Sequence, residues 1–87
     1  MAYKIYYNDN VNDPTLLGVT SSLNDAKKMA DEEAGGYDRV TEGDNVDVFA
    51  SASTARIEVY DGDMFTILDN EPHLNDAVYT TEYFYIN

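Results

Sequence analysis

This sequence predicts an α+β fold, with one helix packed on a mostly antiparallel sheet of about five to six strands. Three observations carry that expectation. A single stretch, Ser22 to Gly36, combines a capping serine, apolar residues at helical spacing and a closing pair of glycines. Several other stretches alternate apolar with polar residues, or are rich in Tyr, Val, Thr and Phe, as strands are. The segments between them are rich in Asn, Asp and Gly, as turns are.

The elements follow in order. Tyr3 to Tyr7 reads as a first strand, with Tyr3, Ile5 and Tyr7 on one face and Lys4 and Tyr6 on the other. Asn8 to Pro14 is turn-forming, and Leu16 to Thr20 makes a second strand in a hairpin with the first. Ser22 caps the helix and Asp25 stands at the capping-box position. Leu23, Ala26, Ala30 and Ala34, with Met29 beside them, form the apolar face, and Gly35-Gly36 ends it. Asp31, Glu32 and Glu33 lie in the last turns, where the helix dipole disfavours negative charge. Local stability does not explain them. They mark either a functional acidic cluster or a solvated face.

Tyr37 to Glu42 reads as a strand, followed by a Gly43-Asp44-Asn45 turn. Val46 to Ala52 is another, with Val46, Val48, Ala50 and Ala52 sharing a face. Ala55 to Tyr60 and Asp63 to Leu68 flank Asp61-Gly62, a short-range hairpin signal. Asp69 to Ala77 is a polar loop containing Pro72, and Val78 to Ile86 is a final strand. In that strand Tyr79, Thr81, Tyr83 and Tyr85 fall on one face, and Val78, Thr80, Glu82, Phe84 and Ile86 on the other. One face is expected on the helix and the other open. The open tyrosines either cover the sheet or serve an interface, where tyrosine is enriched.

Composition narrows the function. The 87 residues suffice for one domain, 1–87, burying roughly 60% of the unfolded chain's surface. There is no cysteine, so neither a disulfide framework nor a thiolate metal site exists. Met1 to Asn8 lacks the pattern of a signal peptide, and no apolar run approaches the roughly 20 residues of a membrane helix. The expectation is a cytoplasmic protein with no membrane partner. Seventeen acids against five bases give a net charge of −12. From Ile57 to Asn87 there are seven acids and no Lys or Arg. Such a surface repels nucleic acid and attracts basic protein surfaces.

Catalytic and cofactor chemistry finds little support. His73 is the sole histidine, and no Gly-x-Ser-x-Gly elbow accompanies it. Carboxylate pairs chosen from 17 acids mean nothing without a cleft. No phosphate-binding loop is present, since Gly35-Gly36 follows a helix and does not open one. Asn8, Asn10 and Asn12 have alternating oxygen ligands, but the sixth and twelfth positions counted from Asn8 are Asp13 and Val19, not Gly and Glu. The same test fails from Asp69, at Leu74 and Thr80. The expectation is no catalytic residue, no metal and no cofactor.

The pattern of acids remains. Residues i and i+2 on a strand point the same way, roughly 6.6 Å apart, comparable to neighbouring phosphates. Asp61/Asp63, Asp69/Glu71 and Glu42/Asp44 have that spacing, and Asp31, Glu32 and Glu33 add density at the helix end. Solubility needs a net charge of only about 2 to 8 in magnitude. These acids, with Tyr79, Tyr83 and Tyr85, are the candidate partner-binding residues.

A small, cysteine-free, strongly acidic chain with the helix Ser-Leu-Asn-Asp-Ala-Lys-Lys-Met-Ala-Asp-Glu-Glu (Ser22 to Glu33) resembles the small proteins phages use against host defence. Within that group it most resembles anti-CRISPR proteins that act as DNA mimics. The resemblance is one of class and carries over no residue's role. It implies stoichiometric inhibition of a basic nucleic-acid-binding protein, a Cas nuclease or complex, with carboxylates set opposite the Arg and Lys that hold DNA. The acidic surface leads us to expect no direct contact with nucleic acid, and the chain is expected to be a monomer or small homo-oligomer. The competing readings are an acidic or halophilic structural domain and a weak calcium-binding module.

Overall fold

The computed structural model describes residues 2–9, 11–41, 53–66 and 76–86. The elements are β1 (Tyr3–Asn8), β2 (Thr15–Thr20), α1 (Leu23–Ala34), β3 (Thr54–Asp61), β4 (Tyr79–Thr80) and β5 (Phe84–Tyr85). The fold is α+β, one main helix on a five-stranded antiparallel sheet of order β2-β1-β3-β4, with β5 also pairing β3. The hairpin of β1 and β2 forms as the sequence predicts.

Strand β3 is central because both of its faces suit burial. Ala55, Ile57 and Val59 point to the helix, where Ala26, Ala30, Ile5 and Phe84 complete the main core. Alanines at the helix contact let its backbone sit close to the sheet, and Leu23, Met29 and Ala34 extend the contact. Arg56, Glu58 and Tyr60 alternate to the second face. There Tyr60 joins Tyr6 and Met64 in a smaller cluster, with Tyr6 edge-on to Tyr60 at 5.9 Å.

The helix begins as its sequence dictates. The Ser22 hydroxyl accepts the Asp25 N–H at 3.3 Å, satisfying one donor of the first turn. The return half of a capping box is replaced: the Ser22 N–H points to the Thr20 hydroxyl at 3.4 Å. Gly35 closes the helix, its N–H reaching the Asp31 carbonyl at 2.9 Å.

Three expectations are corrected. Residues 37–41 form no regular strand; Arg39 makes an isolated bridge to Phe84. The Val40 N–H donates to Tyr83 and the Tyr85 N–H to the Asp38 carbonyl, so this segment is a strap along β5, which offers only two residues to pair with.

Asp61-Gly62 makes no hairpin, and residues 64–66 are helical where a strand was expected. Gly62 has φ +101° and donates its N–H to the Ala2 carbonyl at 2.9 Å, which directs the chain along β1. Asp63 then accepts the Phe65 N–H at 2.9 Å and caps the helical turn.

The last strand is broken by a bulge. Glu58 and Val59 pair with Thr80 and Tyr79, whereas Thr54 and Ala55 pair with Tyr85 and Phe84. Two residues, Arg56 and Ile57, therefore face three, Thr81 to Tyr83. The extra residue reverses the alternation, so Tyr79 faces the helix before the bulge and Phe84 and Ile86 face it after. The expected single face of Tyr79, Thr81, Tyr83 and Tyr85 does not exist. The strand expected at Val46 to Ala52, the Gly43-Asp44-Asn45 turn and His73 lie outside the described residues.

Candidate interface at the end of the helix

The bulge and the strap together build a groove. The strap leaves Gly35, turns so that Tyr37 stacks on Phe84 with centroids 4.5 Å apart, and runs beside β5. Between the strap, the end of α1 and β4 lies an open groove of about 460 Å³. Aromatic rings of Tyr37, Tyr79 and Phe84 line it, with the charged groups of Asp31, Arg39 and Glu82.

Tyr79 fixes one wall. Its hydroxyl donates to the Asp31 carboxylate at 2.5 Å, and the Lys27 ammonium sits 5.6 Å from its ring centroid. Donation to Asp31, then burial and the negative charge of that carboxylate, raise the Tyr79 pKa. Arg39 and Glu82 pair at 3.5 Å, both well exposed, and so bind each other weakly.

Asp31, Glu32 and Glu33 are all exposed, and the last helical turn holds no basic residue. At that end each acid opposes the helix dipole by ~0.3–1 kcal/mol. Asp38 on the strap and Glu82 beyond β4 are exposed as well. The expected helix-end acids thus stand beside an aromatic groove that sequence reading did not foresee. Its signal was the strap itself: Tyr37 and Arg39 follow the helix within five residues of its end.

The other candidates divide. Asp61 ends β3 and Asp63 follows the turn, so they are not neighbours on one strand. Asp63 is held internally: the Phe65 N–H and the Lys4 ammonium, 3.2 Å away, keep its carboxyl below the usual range. It caps the helical turn that follows. Tyr83 lies 5.1 Å under the Arg56 guanidinium, and burial raises its pKa against the pull of that charge. Tyr85 is half-buried between β3 and the strap. Glu42, Asp44, Asp69 and Glu71 lie outside the described residues.

One polar cluster was not foreseen at all. The Glu58 side chain is 2% exposed and accepts Arg56 Nε at 2.9 Å, Arg56 Nη2 at 2.8 Å and Asn8 Nδ2 at 3.0 Å. It answers the burial of a charge with full pairing. The visible sign was Arg-Ile-Glu within an apolar strand, which puts opposite charges on one face.

No protein-family profile, curated protein or solved structure matches the chain. Among the described residues, no three potential ligands gather to hold a metal ion, and no helix is long and apolar enough to cross a membrane.

Proposed function

We propose that this protein is a non-catalytic binding protein that occupies the DNA-binding surface of a basic partner and keeps DNA from it. The carrying observation is the state of the charges. Three of the five cations, Lys4, Arg39 and Arg56, are paired within the chain. Asp31 and Glu82, the latter paired with Arg39, meanwhile line one aromatic groove, and Glu32, Glu33 and Asp38 stand exposed on the adjoining helix end and strap. A basic surface would gain Coulomb energy from those carboxylates and bury the tyrosine faces beside them. The class resemblance supports a CRISPR-Cas type nuclease as the target, with the carboxylates standing where phosphates belong.

The test is capture from nuclease-treated bacterial lysate on the immobilised chain, followed by elution in rising salt and by duplex DNA. The expected result is one basic nucleic-acid enzyme, released by salt and displaced by DNA. Retention must then fall in the triple variant Asp31→Asn, Glu32→Gln, Glu33→Gln. A partner that DNA cannot displace, or no salt-sensitive partner, would overturn the reading.

A further inference from the structure

We infer that β2 is a self-association edge, on which a second copy of this chain adds its own β2 in antiparallel fashion to make one continuous sheet. The inference is independent of the proposed function and concerns the opposite side of the sheet from the groove.

Strand β2 ends the order β2-β1-β3-β4, and no described strand pairs its outer side. Its backbone donors and acceptors there form a template for another strand. Exposed edges are normally protected by Lys, Pro, inward-pointing charge or a bulge. The sequence of β2, Thr-Leu-Leu-Gly-Val-Thr, holds no Lys, Pro or charge. Its one irregularity is a bulge at Leu17 on the side facing β1, between the Ile5–Gly18 and Tyr6–Leu16 pairs.

The side chains agree with the backbone. Leu16 pairs with Tyr6 and Val19 with Lys4, so both project on the face away from the helix. They are 48% and 51% exposed, respectively. On the helix side Gly18 instead lies under the Met29 methyl, 2.7 Å from where a Cβ would stand. Leu16 and Val19 are therefore left on the uncovered face.

Charge selects the occupant. The run from Pro14 to Asn24 contains no ionisable side chain, in a chain of net charge −12. A basic partner, which the rest of the surface attracts, gains nothing here. A second copy brings a matching uncharged, apolar edge. A twofold axis through paired β2 strands makes the contact isologous and closed, and the run between them keeps the two acidic bodies' charges from meeting at the seam.

Sedimentation of the full chain tests this at rising protein concentration, in low salt and in ~1 M salt, where the Debye length is about 3 Å. The expected result is a dimer that strengthens with salt as self-repulsion is screened. That is the opposite of the salt response of a complex with a basic protein. Hydrogen exchange should show concentration-dependent protection confined to residues 15–20. The variant Leu16→Lys, Val19→Lys should be monomeric and fold cooperatively, with a melting curve that no longer depends on protein concentration, although it carries less net negative charge. Should the lysines disturb folding, Leu16→Thr, Val19→Thr keeps strand propensity and should still weaken the dimer. A monomer in both salts, or a dimer with residues 15–20 unprotected or indifferent to both variants, overturns the inference.

Discussion

The Tyr79 hydroxyl bonds the Asp31 carboxylate at 2.5 Å, so the last turn of the helix is tied to the strand just before the bulge. This bond fixes the wall of the groove and holds an acid where the helix dipole opposes it. Tyr79→Phe should therefore cost about 1 kcal/mol in denaturant unfolding. The Tyr79 pKa is raised above 10.0, so folding favours the neutral phenol. Its contribution is complete below pH 10.0 and lost as pH rises through the folded-state value. The Phe variant should lack that loss. Equal alkaline sensitivity in both proteins would deny the bond its role.

Tyr60 should dominate the alkaline limit. Burial, aided by the negative charge of Glu58, pushes its pKa up to about 12. Because the folded value exceeds the unfolded value of 10.0, the stability is whole below pH 10.0 and falls between there and about 12. Melting temperature followed across that window should drop more steeply for the wild type than for Tyr60→Phe. Parallel curves would place the titration elsewhere.

The Arg56–Glu58 pair should behave as a unit. Arg56→Met leaves a buried carboxylate with only Asn8 as partner, and should cost about 3–5 kcal/mol. Adding Glu58→Met to it removes the orphaned charge, so the double variant should be more stable than Arg56→Met alone. Urea unfolding of both variants decides this. A double variant weaker than the single would mean the pair stabilises by more than mutual compensation.

Gly62 should be intolerant for a backbone reason. Its φ of +101° is one that L side chains rarely adopt, although open space surrounds the position of a Cβ. Gly62→Ala should cost about 1–3 kcal/mol through strain alone. Gly36→Ala, where nothing crowds a Cβ and φ is not positive, should be near neutral. Thermal melts that rank them the other way would reject strain as the cause.

How much of this was legible depends on whether a signal is local. Ser22, the alanine spacing and Gly35 specify the helix within one stretch of chain, and they read correctly. The alternation in Tyr3 to Tyr7 placed Ile5 and Tyr6 on opposite faces, as found. The errors came where a distant partner decides. Asp61-Gly62 looks like a hairpin until Ala2 takes the glycine N–H. The final strand reads as continuous because its bulge exists only in register with β3. For the site, the acids of the helix end were legible from their clash with the dipole. The groove was not, since stacking of Tyr37 on Phe84 joins residues far apart in sequence. The Lys4–Asp63 pair was not legible either, since spacing along one strand says nothing of a partner so distant in sequence.

Thr81 should hold the bulge in place. Its N–H donates to the Ile57 carbonyl at 2.9 Å, and its hydroxyl accepts the Ile57 N–H at 3.0 Å. The side chain thus serves as the acceptor for the strand donor that faces the bulge. Thr81→Val keeps shape and strand propensity but removes that acceptor, leaving the Ile57 N–H without this partner at a cost of about 1–3 kcal/mol. Slipping the strand by one residue offers no escape, because it would turn Phe84 out of the core. The variant should therefore keep its fold and show faster hydrogen exchange at Ile57, with Val59 less affected. Unchanged protection at Ile57 would mean that the bulge is set by Phe84 packing alone.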